Sequence, residues 1–216
     1  MRYKHIAIEG NIGSGKTTLA SMLADDFKAR LILEEFANNP FLPKFYESPQ
    51  RHAFPLELFF MAERYYQLKN MKEQDLFMPQ IISDYFFVKS KLFAQNNLRY
   101  DEMQLFNRLF DIMDTNLLKP DLLVYLYADV DRLQKNIRKR GRDFEQNISD
   151  NYLQNIQDKY IDYLKKQNDF TVLILDITNI DFVLEKDMYD SIKDAVMIPY
   201  KKGLHYKSFE SNRNIS

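Results

Sequence analysis

Gly10-Asn11-Ile12-Gly13-Ser14-Gly15-Lys16-Thr17-Thr18 decides the fold. The stretch fits G-x-x-x-x-G-K-[ST] in full. The apolar run His5 to Ile8 before it reads as a buried strand. Leu19-Ala20-Ser21-Met22-Leu23-Ala24 after it reads as the start of a helix. Strand, glycine-rich loop and helix in that order make a phosphate-binding loop. The glycines let the backbone turn tightly with its N–H groups pointing inward. Those donors and the helix N-terminus then hold a di- or triphosphate. Lys16 adds a point charge for the β- and γ-phosphates, and the Thr17 hydroxyl is placed to ligate Mg²⁺. A glycine-rich turn with a chance lysine is the bland alternative, and the full pattern with both flanks argues against it.

Outward from the loop, strands and helices alternate. The first strand covers 3–9 and the first helix 15–29. Leu31-Ile32-Leu33 is a second buried strand, ending at Glu34-Glu35, and Asn38-Asn39-Pro40 signals a turn. A helix is expected over 56–72, with Leu56, Phe59, Phe60, Ala62 and Tyr66 on one broad apolar face. Pro79 opens a third strand over 80–84. Helix resumes over 86–118, broken near Asn96-Asn97. Leu122-Leu123-Val124-Tyr125-Leu126-Tyr127 is the clearest parallel-sheet strand. Helices over 130–139 and 150–167 flank an arginine-rich link, a last strand covers 170–175, and a final helix 180–196. Five short strands alternating with helices predict an α/β fold: a five-stranded parallel sheet with helices on both faces and right-handed crossovers. Residues 1–199 read as one domain. The polar tail 200–216 is expected to stay partly disordered. Ligands of such a sheet bind at the carboxyl ends of its strands, which singles out the phosphate loop, Glu34-Glu35 and Asp84.

Composition narrows the function classes. The chain has 216 residues, 45% of them hydrophobic, enough for a large core. It has no cysteine, which excludes disulfides, thiolate metal sites and cysteine catalysis and is compatible with the cytoplasm. A net charge of −1 gives no global basic field for nucleic acid. The first residues run directly into a strand, so no leader peptide is expected. No apolar run approaches the roughly 18 residues of a membrane span. His5, His52 and His205 lack ligand-like spacing.

Asp84 ends an apolar strand, where a carboxylate can share with Thr17 the holding of Mg²⁺; a helix-capping or turn aspartate is the alternative. Glu34 and Glu35 end the second strand, and one of them can accept a proton from an attacking hydroxyl. Only one can face the cleft, because neighbours on a strand point opposite ways. Arg138-Lys139-Arg140-Gly141-Arg142 lies between two helices. Beside a phosphate loop it reads as a lid that neutralises charge on a transferring phosphate; by itself it reads as a solvated basic helix end. Glu57 and Arg64 share one helix face and suggest a semi-buried ion pair.

With Gly10–Thr18, two further stretches carry a resemblance: Glu34-Glu35-Phe36-Ala37-Asn38-Asn39-Pro40-Phe41 and Arg140-Gly141-Arg142-Asp143-Phe144-Glu145-Gln146-Asn147-Ile148. Over about 3–176 the chain resembles the deoxyribonucleoside kinases of the deoxycytidine, deoxyguanosine and deoxyadenosine type, more closely their bacterial deoxyadenosine kinase-like branch. The resemblance implies a P-loop NTPase-type sheet with an arginine-rich lid at about 138–148. It implies ATP-dependent phosphorylation of a deoxynucleoside 5′-hydroxyl with Mg²⁺ and, with the aromatic-rich helices, suggests a homodimer; composition and charge lead to the expectation of a cytoplasmic protein with no nucleic-acid or membrane partner. Glu34 takes the position of the family's general base. Tyr46 and Glu145 match residues that bind the sugar 3′-hydroxyl. Arg64 matches an arginine beside the base, Glu57 stands where a base-reading glutamine is usual, and Phe93 lies near an aromatic that stacks on the base. Arg140 and Arg142 match lid arginines.

The chain departs from the family pattern after its third strand. Acid-Arg-Ser/Thr is usual there, and Asp84-Tyr85-Phe86 stands here. A family arginine before the lid is Asn136, with Arg138 near enough in sequence to replace it, and Ser90 stands near a family aspartate. A regulatory nucleotide-binding protein with weakened catalysis is a second reading, favoured by the missing arginine and opposed by Lys16, Thr17, Glu34 and Arg140. A thymidylate-type nucleotide kinase is a third, opposed by Glu34-Glu35 where an aspartate-arginine pair is expected. An ionised Glu57 can only accept hydrogen bonds, which leans towards guanine. The resemblance leans towards adenine, so a purine is expected.

Overall fold

The computed structural model describes residues 3–35, 39–74 and 80–209, with the side chains of 71–74 set aside. Phe36, Ala37, Asn38, Pro79 and the tail 210–216 lie outside the described residues. The strands are β1 (His5–Gly10), β2 (Arg30–Ile32), β3 (Ile81–Ser83), β4 (Leu122–Tyr127), β5 (Thr171–Asp176) and β6 (Gly203–Ser208). They form one sheet in the order β2-β3-β1-β4-β5-β6, every pair parallel. Around it run α1 (Lys16–Phe27), α2 (Leu42–Glu47), α3 (Pro49–Gln74), α4 (Lys89–Asn97), α5 (Tyr100–Asp114), α6 (Val130–Arg140), α7 (Asp150–Leu164) and α8 (Lys186–Met197).

The sheet is buried on both faces because its strands are apolar at odd and even positions alike. Ile6, Ile8, Val124, Leu126, Leu173 and Leu175 join Leu19 and Leu23 of α1 in one core. Ala7, Leu123, Tyr125 and Ile174 turn the other way, into a second core with Met61, Tyr85, Phe87, Phe106 and Tyr160. The second core holds much of the chain's aromatic content, including Phe87 stacked on Phe110 at 4.8 Å between ring centres. After β1 the chain builds towards β2 and β3 on one side, then crosses back to β4 on the other. That reversal opens a crevice at the carboxyl end of β1, where the phosphate loop sits.

The sheet has six strands, not five. The sixth, β6, pairs with β5 from Thr171↔Gly203 to Asp176↔Ser208, so the expected disorder of the tail does not hold over 203–208. Its sequence escaped notice because an edge strand needs no apolar run: Gly203, His205 and Lys207 are half-buried, and Leu204, Tyr206 and Ser208 are exposed. The final helix begins at Lys186, not 180. Ahead of it the Asp181 carboxylate accepts from the Val183 and Leu184 N–H groups at 3.1 and 3.2 Å, a side-chain turn that displaces helix. α3 begins at Pro49, with Pro55 inside it. The helix expected from 56 therefore starts seven residues earlier, at a proline, which suits a helix's first turn. α2 was not expected at all.

Candidate active site

The loop from β1 to α1 has the geometry that its glycines predict. Gly13 and Gly15 take φ of 84° and 87°, in the left-handed region. A Cβ on Gly13 would stand 2.8 Å from the Leu133 carbonyl oxygen. Side-chain amides hold the loop in place. Asn11 donates to the Leu153 carbonyl at 2.7 Å, and Asn136 donates to the Gly13 carbonyl at 2.8 Å. Lys16 Nζ folds back onto the Asn11 carbonyl at 2.9 Å. Burial lowers Lys16 to about 8, and the charge of Lys89 adds to the effect. The Lys16 ammonium is therefore charged at neutral pH but poorly compensated, as suits a group that receives an anion.

Asp84 ties three strand ends together. Thr17 Oγ1 donates to Asp84 Oδ2 at 2.5 Å, and the Glu34 backbone N–H donates to Asp84 Oδ1 at 2.7 Å. Mg²⁺ bound to phosphates needs one or two protein oxygens, with waters and substrate oxygens supplying the rest. The adjacent hydroxyl and carboxylate of Thr17 and Asp84 fit that requirement. Among the described residues no three His, Cys, Asp or Glu cluster as a metal cage.

Glu34 is the node of the cleft. Its Oε1 accepts from Arg64 Nε at 2.8 Å and lies 2.6 Å from Arg64 Nη2, and its Oε2 accepts from Lys89 Nζ at 2.6 Å. Burial pushes the carboxyl up, but the charges and hydrogen bonds of Lys89 and Arg64 outweigh it and hold Glu34 well below the usual carboxylate range. Glu35 faces solvent, so Glu34 is the member of the pair that points into the cleft. Arg64 also donates from Nη1 to Ser90 Oγ at 2.8 Å and lies 4.9 Å over the Phe60 ring.

Two cavities meet here. One runs along the phosphate loop to Asn136, Lys139 and the turn at Asp181 and Phe182. The other is lined by Glu34, Tyr46, Glu57, Arg64, Phe93 and Glu145. Lys16, Thr17, Arg140 and Arg142 line both. Of the expected site residues, 12–18, Glu34, Tyr46, Glu57, Arg64, Asp84, Phe93, Arg140, Arg142 and Glu145 line these two cavities, while Gly10 and Asn11 are buried beneath them. The two lid arginines are anchored on Glu145, Arg140 in a short contact and Arg142 at 3.2 Å. Gly141, left-handed at φ 71°, ends α6 between them. Tyr46 stacks on Phe144 at 5.9 Å, and burial followed by the Glu145 charge pushes its hydroxyl well up.

The Glu57–Arg64 ion pair is not formed. Glu57 Oε1 accepts from Asn97 Nδ2 at 2.7 Å, and its Oε2 is buried without a hydrogen-bond partner among the described residues. Burial pushes Glu57 up to about 7, against the Asn97 hydrogen bond and the Arg64 charge. Arg64 does not keep Glu57 fully ionised, because its bonds go to Glu34 and Ser90. Arg138 is exposed and lines neither cavity, so it does not replace the family arginine; Asn136 instead braces the loop. Tyr85 is fully buried in the second core, its hydroxyl donating to Gln67 Oε1 at 2.5 Å.

Sequence reasoning missed Lys89 and Asn97. The signals were present: Lys89 opens the helix that follows the strand-end acid Asp84, and Asn97 forms the helix break itself. Glu9 was missed as well. It is 1% exposed and accepts from the Phe86 N–H at 2.7 Å and the Tyr160 hydroxyl at 2.9 Å, fixing the turn that presents Lys89.

Comparison with known proteins agrees with this geometry. The family model described as deoxynucleoside kinase matches residues 6–199. The chain is 36% identical over 192 residues to the deoxyguanosine kinase of Bacillus subtilis (strain 168), covering 87% of this chain and 93% of the relative. It is 29% identical over 196 residues to the deoxyadenosine/deoxycytidine kinase of the same organism, covering 88% and 90%. A structure of deoxyadenosine kinase from M. mycoides with products dCMP and a flexible dCDP bound shares the fold at a TM-score of 0.75 and 22% identity, over 89% of this chain and 98% of that one. The chain belongs to the deoxynucleoside kinase family.

Proposed function

We propose that the chain transfers the γ-phosphate of ATP to the 5′-hydroxyl of a purine deoxynucleoside. One observation carries this reading: a phosphate-loop cavity and a carboxylate-lined cavity meet at Lys16, Thr17, Arg140 and Arg142. ATP phosphates lie along the loop, held by its N–H groups and Lys16. Thr17 and Asp84 hold Mg²⁺, which when bound neutralises phosphate charge. Glu34 orients the 5′-hydroxyl and accepts its proton. Tyr46 and Glu145 bind the 3′-hydroxyl, and Phe93 stacks on the base. The test is stoichiometry: ADP and deoxynucleoside 5′-monophosphate should appear one for one from ATP and deoxyguanosine. ADP formed without monophosphate would favour the regulatory nucleotide-binding protein.

Arg140 and Arg142 act on the transferring phosphate more than on bound nucleoside. Their alanine variants should lose kcat, about 10²-fold for a transition-state donor, with nucleoside KM little changed. A pure KM effect would make the segment a binding loop.

Glu57 is placed to choose the purine. Ionised, its free Oε2 accepts from guanine, whose N1–H and N2–H₂ are donors; protonated, it can donate to adenine N1. A group titrating near 7 changes between these forms in the neutral range. The ratio of kcat/KM for deoxyguanosine to that for deoxyadenosine should therefore rise between pH 6 and pH 8. Glu57→Gln should flatten the rise and shift the ratio towards deoxyadenosine, with one buried polar pair worth about 1–3 kcal/mol. A ratio that ignores both pH and the substitution would remove Glu57 from base reading.

The enzyme also fits a cytoplasmic homodimer, for which Leu105 and Ile112, seven residues apart on one face of α5, leave exposed apolar side chains. No helix among the described residues is long and apolar enough to cross a membrane.

A further inference from the structure

We propose that Lys89 is a catalytic residue: its ammonium group, already bonded to Glu34, holds the transferring phosphoryl group on the acceptor side of the reaction while Lys16 holds it on the donor side. The proposal rests on the kinase reading above.

Lys89 opens α4 and is 5% exposed. An ammonium group has three donors. Among the described residues, Lys89 Nζ makes a single hydrogen bond, to Glu34 Oε2 at 2.6 Å, and has the Phe93 ring centre 5.7 Å away. Two donors are left over in a group that lines the same cavity as Lys16, Thr17 and Asp84. Arg64 is committed by contrast. Two of its nitrogens lie on Glu34 Oε1 and a third donates to Ser90 Oγ. One bidentate arginine already balances the single charge of Glu34. A second buried cation on the same carboxylate is costly unless a further anion arrives. Lys16 feels the Lys89 charge as well, which adds to burial in lowering it against the carboxylates of Glu9, Glu34 and Asp84. Two ammonium groups facing one cavity favour a polyanion between them. Tyr85, after Asp84, is turned into the core, so Lys89 is the cation that the β3–α4 turn delivers to the cleft.

The transfer step balances with these groups alone. The 5′-oxygen bonds to the γ-phosphorus, the bond from that phosphorus to the bridging oxygen breaks, and its electron pair leaves with ADP. The 5′-hydroxyl proton passes to Glu34. As Glu34 accepts the proton its hold on Lys89 weakens, and the spare ammonium donors turn to the non-bridging oxygens as charge spreads over them.

Lys89→Met and Lys89→Arg, assayed with ATP, Mg²⁺ and deoxyguanosine over pH 5–9, test this. Lys89→Met should lower kcat about 10²-fold with nucleoside KM within about threefold of wild type. Lys89→Arg should recover at least tenfold of the loss. A Lys89→Met enzyme with kcat within about threefold of wild type would overturn the proposal. If Lys89→Met does not fold, Lys89→Arg decides: turnover within about tenfold of wild type supports the role, and a folded enzyme without turnover overturns it. Wild type that phosphorylates no deoxynucleoside would instead overturn the kinase reading itself.

Discussion

Glu34→Gln lowers kcat by about 10²–10⁴-fold, the range for loss of a general base, and leaves ATP affinity within about twofold of wild type. The carboxylate lines the cavity proposed for the nucleoside, where Arg64 and Lys89 hold it ionised. Such a group is a weak base in the ground state. That suits phosphoryl transfer, in which bond making lags behind bond breaking and the hydroxyl keeps its proton until late. Glutamine has the same size and can still accept from one side, but it cannot take the proton. It also leaves two buried cations without a counter-charge, so the melting temperature should fall. Removing one partner of a buried pair costs about 3–5 kcal/mol. Kinetics must therefore be read on enzyme shown to be folded by circular dichroism. Because Glu34 is held below the usual carboxylate range in the fold, its contribution to stability is present above the unfolded-state pKa and is lost as pH falls through the depressed value. Glu35→Gln, at an exposed position, is the control and should behave as wild type. A damaging Glu35→Gln beside a harmless Glu34→Gln would mean that the strand end faces the other way.

Lys16→Ala should lower kcat/KM for ATP on the order of 10³-fold, through both binding and rate. In the proposed reaction the missing charge meets the β- and γ-phosphates, and a donor to a developing charge in a water-poor site is worth about 10²–10³-fold in kcat alone. Lys16 also closes the loop on itself through the Asn11 carbonyl, but the loop is held as well by Asn11 on Leu153 and Asn136 on Gly13. The fold should survive, so the loss should appear in ATP binding and turnover rather than in the melting curve. Weaker ATP binding separates this variant from Glu34→Gln, which should bind ATP normally. Isothermal titration with a non-hydrolysable ATP analogue makes the distinction. Unchanged affinity in Lys16→Ala would place the lysine outside the phosphate site.

Local pattern made much of this legible. The phosphate loop is continuous in sequence, so its glycine spacing and flanks could be read directly, and the apolar strands β4 and β5 announced the sheet. Glu34, Asp84 and the lid arginines were legible because strand ends and helix links in an α/β sheet meet in one crevice. What stayed hidden depends on direction, not identity. Whether Arg64 would pair with Glu57 or Glu34 is decided by which side chain α3 presents across the cleft. The sequence places Glu57 and Arg64 on one face but says nothing of Asn97, which takes the Glu57 oxygen. Tyr85 in an arginine's place suggested a lost function. The chain leaving β3 sends it into the core, and the turn ahead of α4 brings Lys89 round to Glu34. β6 was hidden because an edge strand is held by backbone hydrogen bonds, which any sequence can make.

If one crevice joins a triphosphate to a purine deoxynucleoside, kcat/KM for the four deoxynucleosides with ATP and Mg²⁺ will show it. Deoxyguanosine and deoxyadenosine should yield 5′-monophosphate, with deoxycytidine and thymidine well behind. A preference for thymidine, or no turnover of any of the four, would contradict it.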